Sequence, residues 1–327
     1  MRDSFGRDIT YLRLSLTDRC DLRCTYCMPE RMSFLPRPEI LTLDELDRVA
    51  SCFIRRGVRK LRLTGGEPLV RKGAVDLFTA LGRHLRSGAL DELTLTTNGS
   101  QLAPHAEALA AAGVRRINVS LDHLDPTSFR RITRGGDVRK TLAGIEAARA
   151  AGMAIKINAV VLRHDNLDHL PDLVAWAHAR NFAVSLIEVM PIGNVGIDRI
   201  DQHVPMPEAR KRLEARWPLD DVAMSTGGPA RYARTSSGGL VGFITPLSRM
   251  FCDGCNRVRV SADGKLHACL GREVAADLRP ALRNYTDDRA LELAISTLVR
   301  AKPRSHDFRI AQRSAPAVAR TMSVTGG

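Results

Sequence analysis

Two groups of three cysteines are the residues in this sequence best suited to chemistry. The seven cysteines stand at 20, 24, 27, 52, 252, 255 and 269. An odd count argues against a disulfide framework. Cys20, Cys24 and Cys27 lie in a polar stretch after a short apolar segment. Structural zinc sites usually take four protein ligands, and this stretch offers three thiols and no histidine. Iron–sulfur clusters are held by thiolates, and a cluster iron without a protein ligand is free to bind a small molecule. The plain alternative is three unrelated thiols in a loop. Cys252, Cys255 and Cys269 form the second group, and His267 could complete a zinc site there. The strand-like stretch between them is expected to turn His267 away from Cys269. Cys52 falls inside an apolar-periodic segment and reads as a packing residue.

Two further patterns accompany the thiols. Thr64-Gly65-Gly66-Glu67-Pro68 follows a strand-like segment. Adjacent glycines let a ligand approach the backbone closely, and strand C-terminal ends carry the sites of parallel α/β barrels. Arg257 and Arg259 flank Val258, so on an extended segment both arginines share one face. Two guanidinium groups there make a phosphate clamp; the bland reading is a solvated basic face.

Alternating segments must position these groups. Strand-like runs are expected at 9–16, 60–64, 92–97, 115–121, 154–161 and 183–189. Helical periodicity is expected at 43–55, 74–85, 102–111, 139–150 and 167–180. Thr42 is placed to cap the first helix, and Gly57, Gly113 and Gly152 follow helix ends. This order implies a parallel sheet with right-handed crossovers, either an open barrel or a doubly wound layer. After Pro191 the pattern weakens. Residues 193–240 are rich in Gly, Pro and Ser, with one helix expected at 207–215. A smaller C-terminal unit should follow, with a helix near 288–300. The boundary is placed at 225/226, giving regions 1–225 and 226–327.

The 327 residues suffice for a full hydrophobic core. Apolar content of 44% and charged content of 26% exclude a mainly disordered chain. No run of 18 apolar residues and no signal-like N-terminus occur, so a cytoplasmic, non-membrane protein is expected. Net charge is +13, and 42 of the 49 basic residues are Arg. They are spread along the chain, which argues against a nucleic-acid-binding arm and leaves a polyanionic ligand or a basic surface.

The first triplet, with Tyr26 before its last cysteine, and the downstream Gly-Gly-Glu-Pro resemble the radical S-adenosylmethionine (SAM) superfamily. Phe251-Cys252-Asp253-Gly254-Cys255-Asn256-Arg257-Val258-Arg259, Ala262-Asp263-Gly264 and Cys269-Leu270 narrow the resemblance to the molybdenum cofactor biosynthesis protein A family, the GTP 3′,8-cyclases. Thr96-Thr97-Asn98-Gly99, Asn118 to Asp122, Glu188 to Gly193, Lys302 to His306 and the final Gly326-Gly327 support it. Thr325 stands where the family usually has Ile.

That resemblance implies an α/β fold, an incomplete (β/α)6 TIM-like barrel with a C-terminal extension. It implies one [4Fe–4S] cluster on Cys20, Cys24 and Cys27 and a second on Cys252, Cys255 and Cys269. It places SAM against Tyr26, Gly66, Ser120 and Met190. It places GTP against Arg13, Arg62, Thr96, Lys156, Arg257, Val258 and Arg259. Arg257, Arg259, Gly326 and Gly327 are expected to act in catalysis, with the tail folded into the barrel mouth. An electron donor and a downstream cyclic pyranopterin monophosphate synthase are implied partners, and the chain is expected to be a monomer or homodimer. A radical SAM peptide-modifying enzyme and a basic zinc protein that binds nucleic acid are the competing readings.

Overall fold

The computed structural model describes residues 1–196, 199–309 and 316–326. Six parallel strands follow one another across its sheet: β1 (Tyr11–Ser15), β2 (Lys60–Thr64), β3 (Glu92–Thr97), β4 (Arg116–Ser120), β5 (Ala154–Val161) and β6 (Ala183–Glu188). Helices α1 (Leu43–Arg55), α2 (Ala74–Arg86), α3 (Ala106–Ala111), α4 (Pro126–Ile132), α5 (Val138–Ala150) and α6 (Leu170–His178) lie in the crossovers. The architecture is the expected α/β partial barrel with a C-terminal extension.

Period-two alternation divides the strands. Leu12, Leu14, Leu61, Leu63, Leu95 and Ile117 are fully buried in the apolar core. Their neighbours Arg13, Arg62, Thr94, Thr96, Asn118 and Lys156 point to the other, concave face. α1 shows how local chemistry fixes the helix layer. The Thr42 hydroxyl accepts from the Glu45 N–H, and the Glu45 carboxylate accepts from the Thr42 N–H. This capping box satisfies donors at the helix start, and Leu46, Val49, Phe53 and Cys52 enter the core.

The chain beyond Pro191 does not build a sheet of its own. β7 (Leu219–Val222), β8 (Arg231–Thr235) and β9 (Leu240–Ile244) join one edge, where β9 runs parallel to β6. β10 (Arg257–Val260), β11 (Lys265–His267) and β12 (Ala275–Asp277) join the other edge, where β10 runs parallel to β1. The Gly/Pro/Ser-rich segment therefore holds two strands that its composition hid. Among the described residues no helix is long and apolar enough to cross a membrane.

The tail ends in a short helix, Met322–Thr325. Thr325 is fully buried, and its hydroxyl has no hydrogen-bond partner among the described residues. An unmet buried hydroxyl costs about 1–3 kcal/mol. Thr325→Val keeps the shape and removes that cost. Amide exchange at residues 322–326 of the ligand-free protein should slow by roughly tenfold. Unchanged or faster exchange would contradict this account of the tail's packing.

Candidate functional site

Two adjoining chambers open on the concave face. Cys20, Cys24, Cys27, Tyr26, Gly66 and Ser120 line the first. Arg13, Arg62, Lys156, Arg257, Arg259 and the three thiols Cys252, Cys255 and Cys269 line the second. Asn158, Ile187, Met190 and Met322 belong to both walls. The sequence-expected residues thus gather at one place from eight or more elements, with two adjustments. Thr96, expected beside the substrate, lines the first chamber and meets the second through Arg62, whose Nη1 donates to its hydroxyl at 3.0 Å. His267 lines the same chamber as Cys269. The expected divergence is corrected, because residues two apart on extended chain share a side.

The loop holding the first triplet is anchored by backbone bonds from Arg23 and Thr25 to Thr133 and Ile132. Tyr26 donates its hydroxyl to Asp122 at 2.7 Å, and Asp122 also accepts from the Val160 N–H. Gly66 packs against the same loop. A Cβ there would lie 2.3 Å from the Arg19 carbonyl oxygen, so only glycine allows the approach. Burial pushes the thiols of Cys20, Cys24 and Cys27 up, and nearby carboxylates, including Asp122, push in the same direction.

All six triplet cysteines are free thiols. Among the described residues no three His, Cys, Asp or Glu side chains gather around one point closely enough to hold a single ion. Three thiols ringing a chamber match a cubane, which takes one thiolate on each of three irons.

Strand register creates the second chamber's charge. Arg259, Arg13 and Arg62 lie side by side on β10, β1 and β2. Arg257, Tyr11 and Lys60 form the next row. Lys60 pairs with Glu92 at 2.8 Å. Among the described residues Arg13, Arg62, Lys156, Arg257 and Arg259 form no ion pair with a carboxylate; each of the 25 ion pairs is made elsewhere. Burial, with Arg62 and Arg257 adding to it, holds Arg13 down at about 10, against the opposing effect of Tyr11. Burial and the neighbouring arginines hold Arg259 well below its ordinary value. Burial, then Arg116, Arg62 and Lys60, bring Lys156 to about 7. Burial raises the Tyr11 phenol, but Arg62 and Arg13 outweigh it and leave that group near 7 as well.

The tail closes the site. Residues 317–318 pair with 191–193, where the Gly193 N–H donates to the Val318 carbonyl at 2.9 Å. Gly326 stands at φ +72°, and its carbonyl accepts from Arg259 Nη1 at 2.6 Å. A Cβ on Gly326 would meet Thr64 at 2.2 Å. Gly327 lies outside the described residues. Sequence reasoning passed over Tyr11, Tyr232 and Met322, whose roles come from register and tertiary packing. The Lys156 ammonium donates to the Tyr232 hydroxyl at 2.5 Å.

The radical SAM superfamily matches residues 14–177, and the Molybdenum Cofactor Synthesis C family matches residues 182–308. A curated GTP 3′,8-cyclase of Rhodopseudomonas palustris (strain TIE-1) is 60% identical over 100% of this chain and 96% of its own length. One of Caulobacter vibrioides is 60% identical over 99% of this chain and 93% of its own. The chain belongs to the GTP 3′,8-cyclase family of the radical SAM superfamily. Among solved structures, Streptococcus suis SuiB bound to S-adenosylmethionine aligns with a TM-score of 0.62 at 16% identity, covering 89% of this chain and 67% of that one. That likeness concerns the fold alone.

A polyanion entering the second chamber favours the charged form of Lys156 and the neutral form of Tyr11. Both pKa values then rise from near 7, so binding takes up protons above pH 7 and none near pH 5, where both groups already hold them. Calorimetric titration with GTP in buffers of different ionisation enthalpy should show net uptake at pH 8. The uptake should fall in Lys156→Met and in Tyr11→Phe. Buffer-independent heats at pH 8 in the unmodified protein would contradict this charge balance.

Proposed function

We propose that this protein converts GTP to (8S)-3′,8-cyclo-7,8-dihydroguanosine 5′-triphosphate, the first step of molybdenum cofactor biosynthesis. The observation that carries the reading is the adjoining pair of chambers. One is ringed by three thiols beside the Gly65-Gly66 approach. The other holds six cations, Lys302 among them, that have no carboxylate partner among the described residues, beside three more thiols. Buried charges demand counter-charges, and a triphosphate supplies them. A peptide substrate offers no reason for so many unpaired cations.

Cys20, Cys24 and Cys27 would hold the first [4Fe–4S] cluster, and Cys252, Cys255 and Cys269 the second. With SAM bound, the first supplies reductive cleavage to a 5′-deoxyadenosyl radical able to take hydrogen from C3′ of the ribose. Tyr26, Gly66, Ser120 and Met190 orient SAM. Arg13, Arg62, Lys156, Arg257 and Arg259 bind the triphosphate, with Val258 packing beneath the last two and Thr96 fixing Arg62. The shared wall of Asn158, Ile187, Met190 and Met322 keeps the two ligands adjacent and excludes water. Gly326 holds Arg259 in place through its carbonyl, and Gly327 extends that tail. An external electron donor completes each turnover, and the product passes to cyclic pyranopterin monophosphate synthase.

Anaerobic incubation of the reconstituted protein with GTP, SAM and dithionite, followed by mass spectrometry of the product, tests this directly. The cyclised nucleotide is expected. SAM cleavage with no GTP-derived product in any condition would sink the reading. Cys24→Ala should abolish SAM cleavage, whereas Cys255→Ala should keep uncoupled cleavage and lose cyclisation. Equal loss of both activities in the two variants would contradict the division between the triplets.

Gly326→Ala forces a Cβ into Thr64 and an unfavourable φ, so the tail should leave Arg259. Cluster content and thermal stability should change little. Cyclised product should fall at least tenfold, the scale of one charge-assisted contact. Full product formation by this variant would show that the tail is a passive end.

A further inference from the structure

Lys302 is 2% exposed and lies 33 residues beyond Cys269 in sequence. Its ammonium nitrogen donates to the Arg257 carbonyl at 2.9 Å and to the Ala268 carbonyl at 2.5 Å. Its chamber is also lined by Cys252, Cys255 and Cys269. One acceptor is the carbonyl of the clamp residue Arg257, and the other precedes Cys269. Lys302 therefore ties together the separate stretches of chain that carry the second set of cysteines.

The surroundings add further positive charge. Arg7, 9% exposed, donates to the Cys252 carbonyl at 2.9 Å and to the Arg304 and Pro303 carbonyls at 2.7 Å each. Its own counter-charge is Asp3, at 2.6 Å. Arg320 donates to the Cys269 carbonyl at 3.2 Å and is balanced by Glu273 at 2.5 Å, and Arg257 lies near Cys255. Asp253, the carboxylate nearest in sequence, is exposed and reaches only Arg304, at 3.9 Å. The first triplet is set differently. Arg23 donates to the Cys20 carbonyl at 2.5 Å, but three carboxylates, Asp21, Glu67 and Asp122, lie about its thiols, with Asp21 3.9 Å from the Cys20 sulfur. Among the described residues none of the three carboxylates is in an ion pair.

We propose that Lys302 is a positioning residue of the second triplet. Its buried, fixed charge makes a cluster on Cys252, Cys255 and Cys269 easier to reduce than one on Cys20, Cys24 and Cys27. Hydrogen bonds to sulfur and net charge are the terms by which a protein sets such potentials. The inference rests on the reading of both triplets as cluster sites. It assigns the two identical donor sets different tasks. The site among carboxylates holds the strongly reducing cluster that SAM cleavage needs. The site among cations holds a milder one beside the substrate.

The test is a dithionite titration with redox mediators, followed by electron paramagnetic resonance, on the full-length reconstituted protein. SAM addition alters the signal of the first site and so tells the two apart. Iron content is measured first. About eight irons per chain support the reading of two clusters; about four would fail that reading without bearing on Lys302. At full iron content, the second site should show the higher midpoint potential. Lys302→Met and Lys302→Gln should lower that potential, moving its reduction equilibrium by roughly tenfold or more, the size of one charge-assisted bond. The first site should not move. Lys302→Arg, which keeps the charge, should restore most of the shift. Gln keeps two donors, so it preserves the loop where Met does not. A second site no easier to reduce than the first would overturn the proposal. So would an unchanged potential in the Met and Gln variants. Loss of the second cluster from both variants would reduce Lys302 to a structural strut and overturn the charge effect.

Discussion

Five cations face the concave side of a parallel sheet, and among the described residues no carboxylate meets them. That arrangement is the constraint on which the remainder of the site depends. Arg13, Arg62 and Arg259 are neighbours across three strands; Arg62 lowers the readiness of Arg13 to hold its charge, and Arg13 lowers that of Arg259. A folded chain tolerates such a row only when the convex side is well packed. Here the leucines that alternate with the arginines are buried to completion. The same period-two pattern thus supplies the core on one side and the unbalanced charge on the other. Tyr11 and the Gly326 carbonyl offset a part of it; in the proposed reaction the triphosphate of GTP would offset the rest.

The second dependence is proximity. A hydrogen-abstracting radical must meet its substrate before it meets solvent, so the two chambers share a wall. Met190 follows β6 and Met322 comes from the tail, and both face each chamber. The tail is held by backbone pairing to residues 191–193 and by Arg320, which donates to the Leu270 carbonyl at 2.6 Å. Its short helix also brings the Ser323 N–H to the Cys27 thiol. One segment therefore contacts the first triplet through Ser323, both ligand chambers through Met322 and the clamp through Gly326.

Local spacing made much of this legible. Cys20, Cys24 and Cys27 lie within a single loop, and Gly65-Gly66 directly follows a strand, so their geometry is set by a few neighbouring residues. Strands β2, β3 and β5 have the bounds that their alternation implies, because their apolar residues form uninterrupted buried patterns. What composition concealed depends on partners distant in sequence. β7 and β8 read as polar loop, since exposed Asp220, Asp221, Arg231 and Arg234 interrupt the few residues they bury. α4 is only seven residues long and starts at an Asp125 cap followed by Pro126, too short to show a period. Thr96 was assigned by likeness to the substrate side, yet its position follows from the register of β3 with β4. Lys302 falls in a segment that supports the family resemblance, but only the fold brings it to the second triplet.

The central claim is that the two chambers bring C3′ of the ribose against the radical formed beside Cys20, Cys24 and Cys27. Anaerobic turnover with GTP deuterated at C3′, followed by mass spectrometry of the 5′-deoxyadenosine released, tests that contact most directly. The geometry predicts deuterium in the 5′-deoxyadenosine that accompanies cyclised product. Cyclised product formed alongside deuterium-free 5′-deoxyadenosine would contradict it.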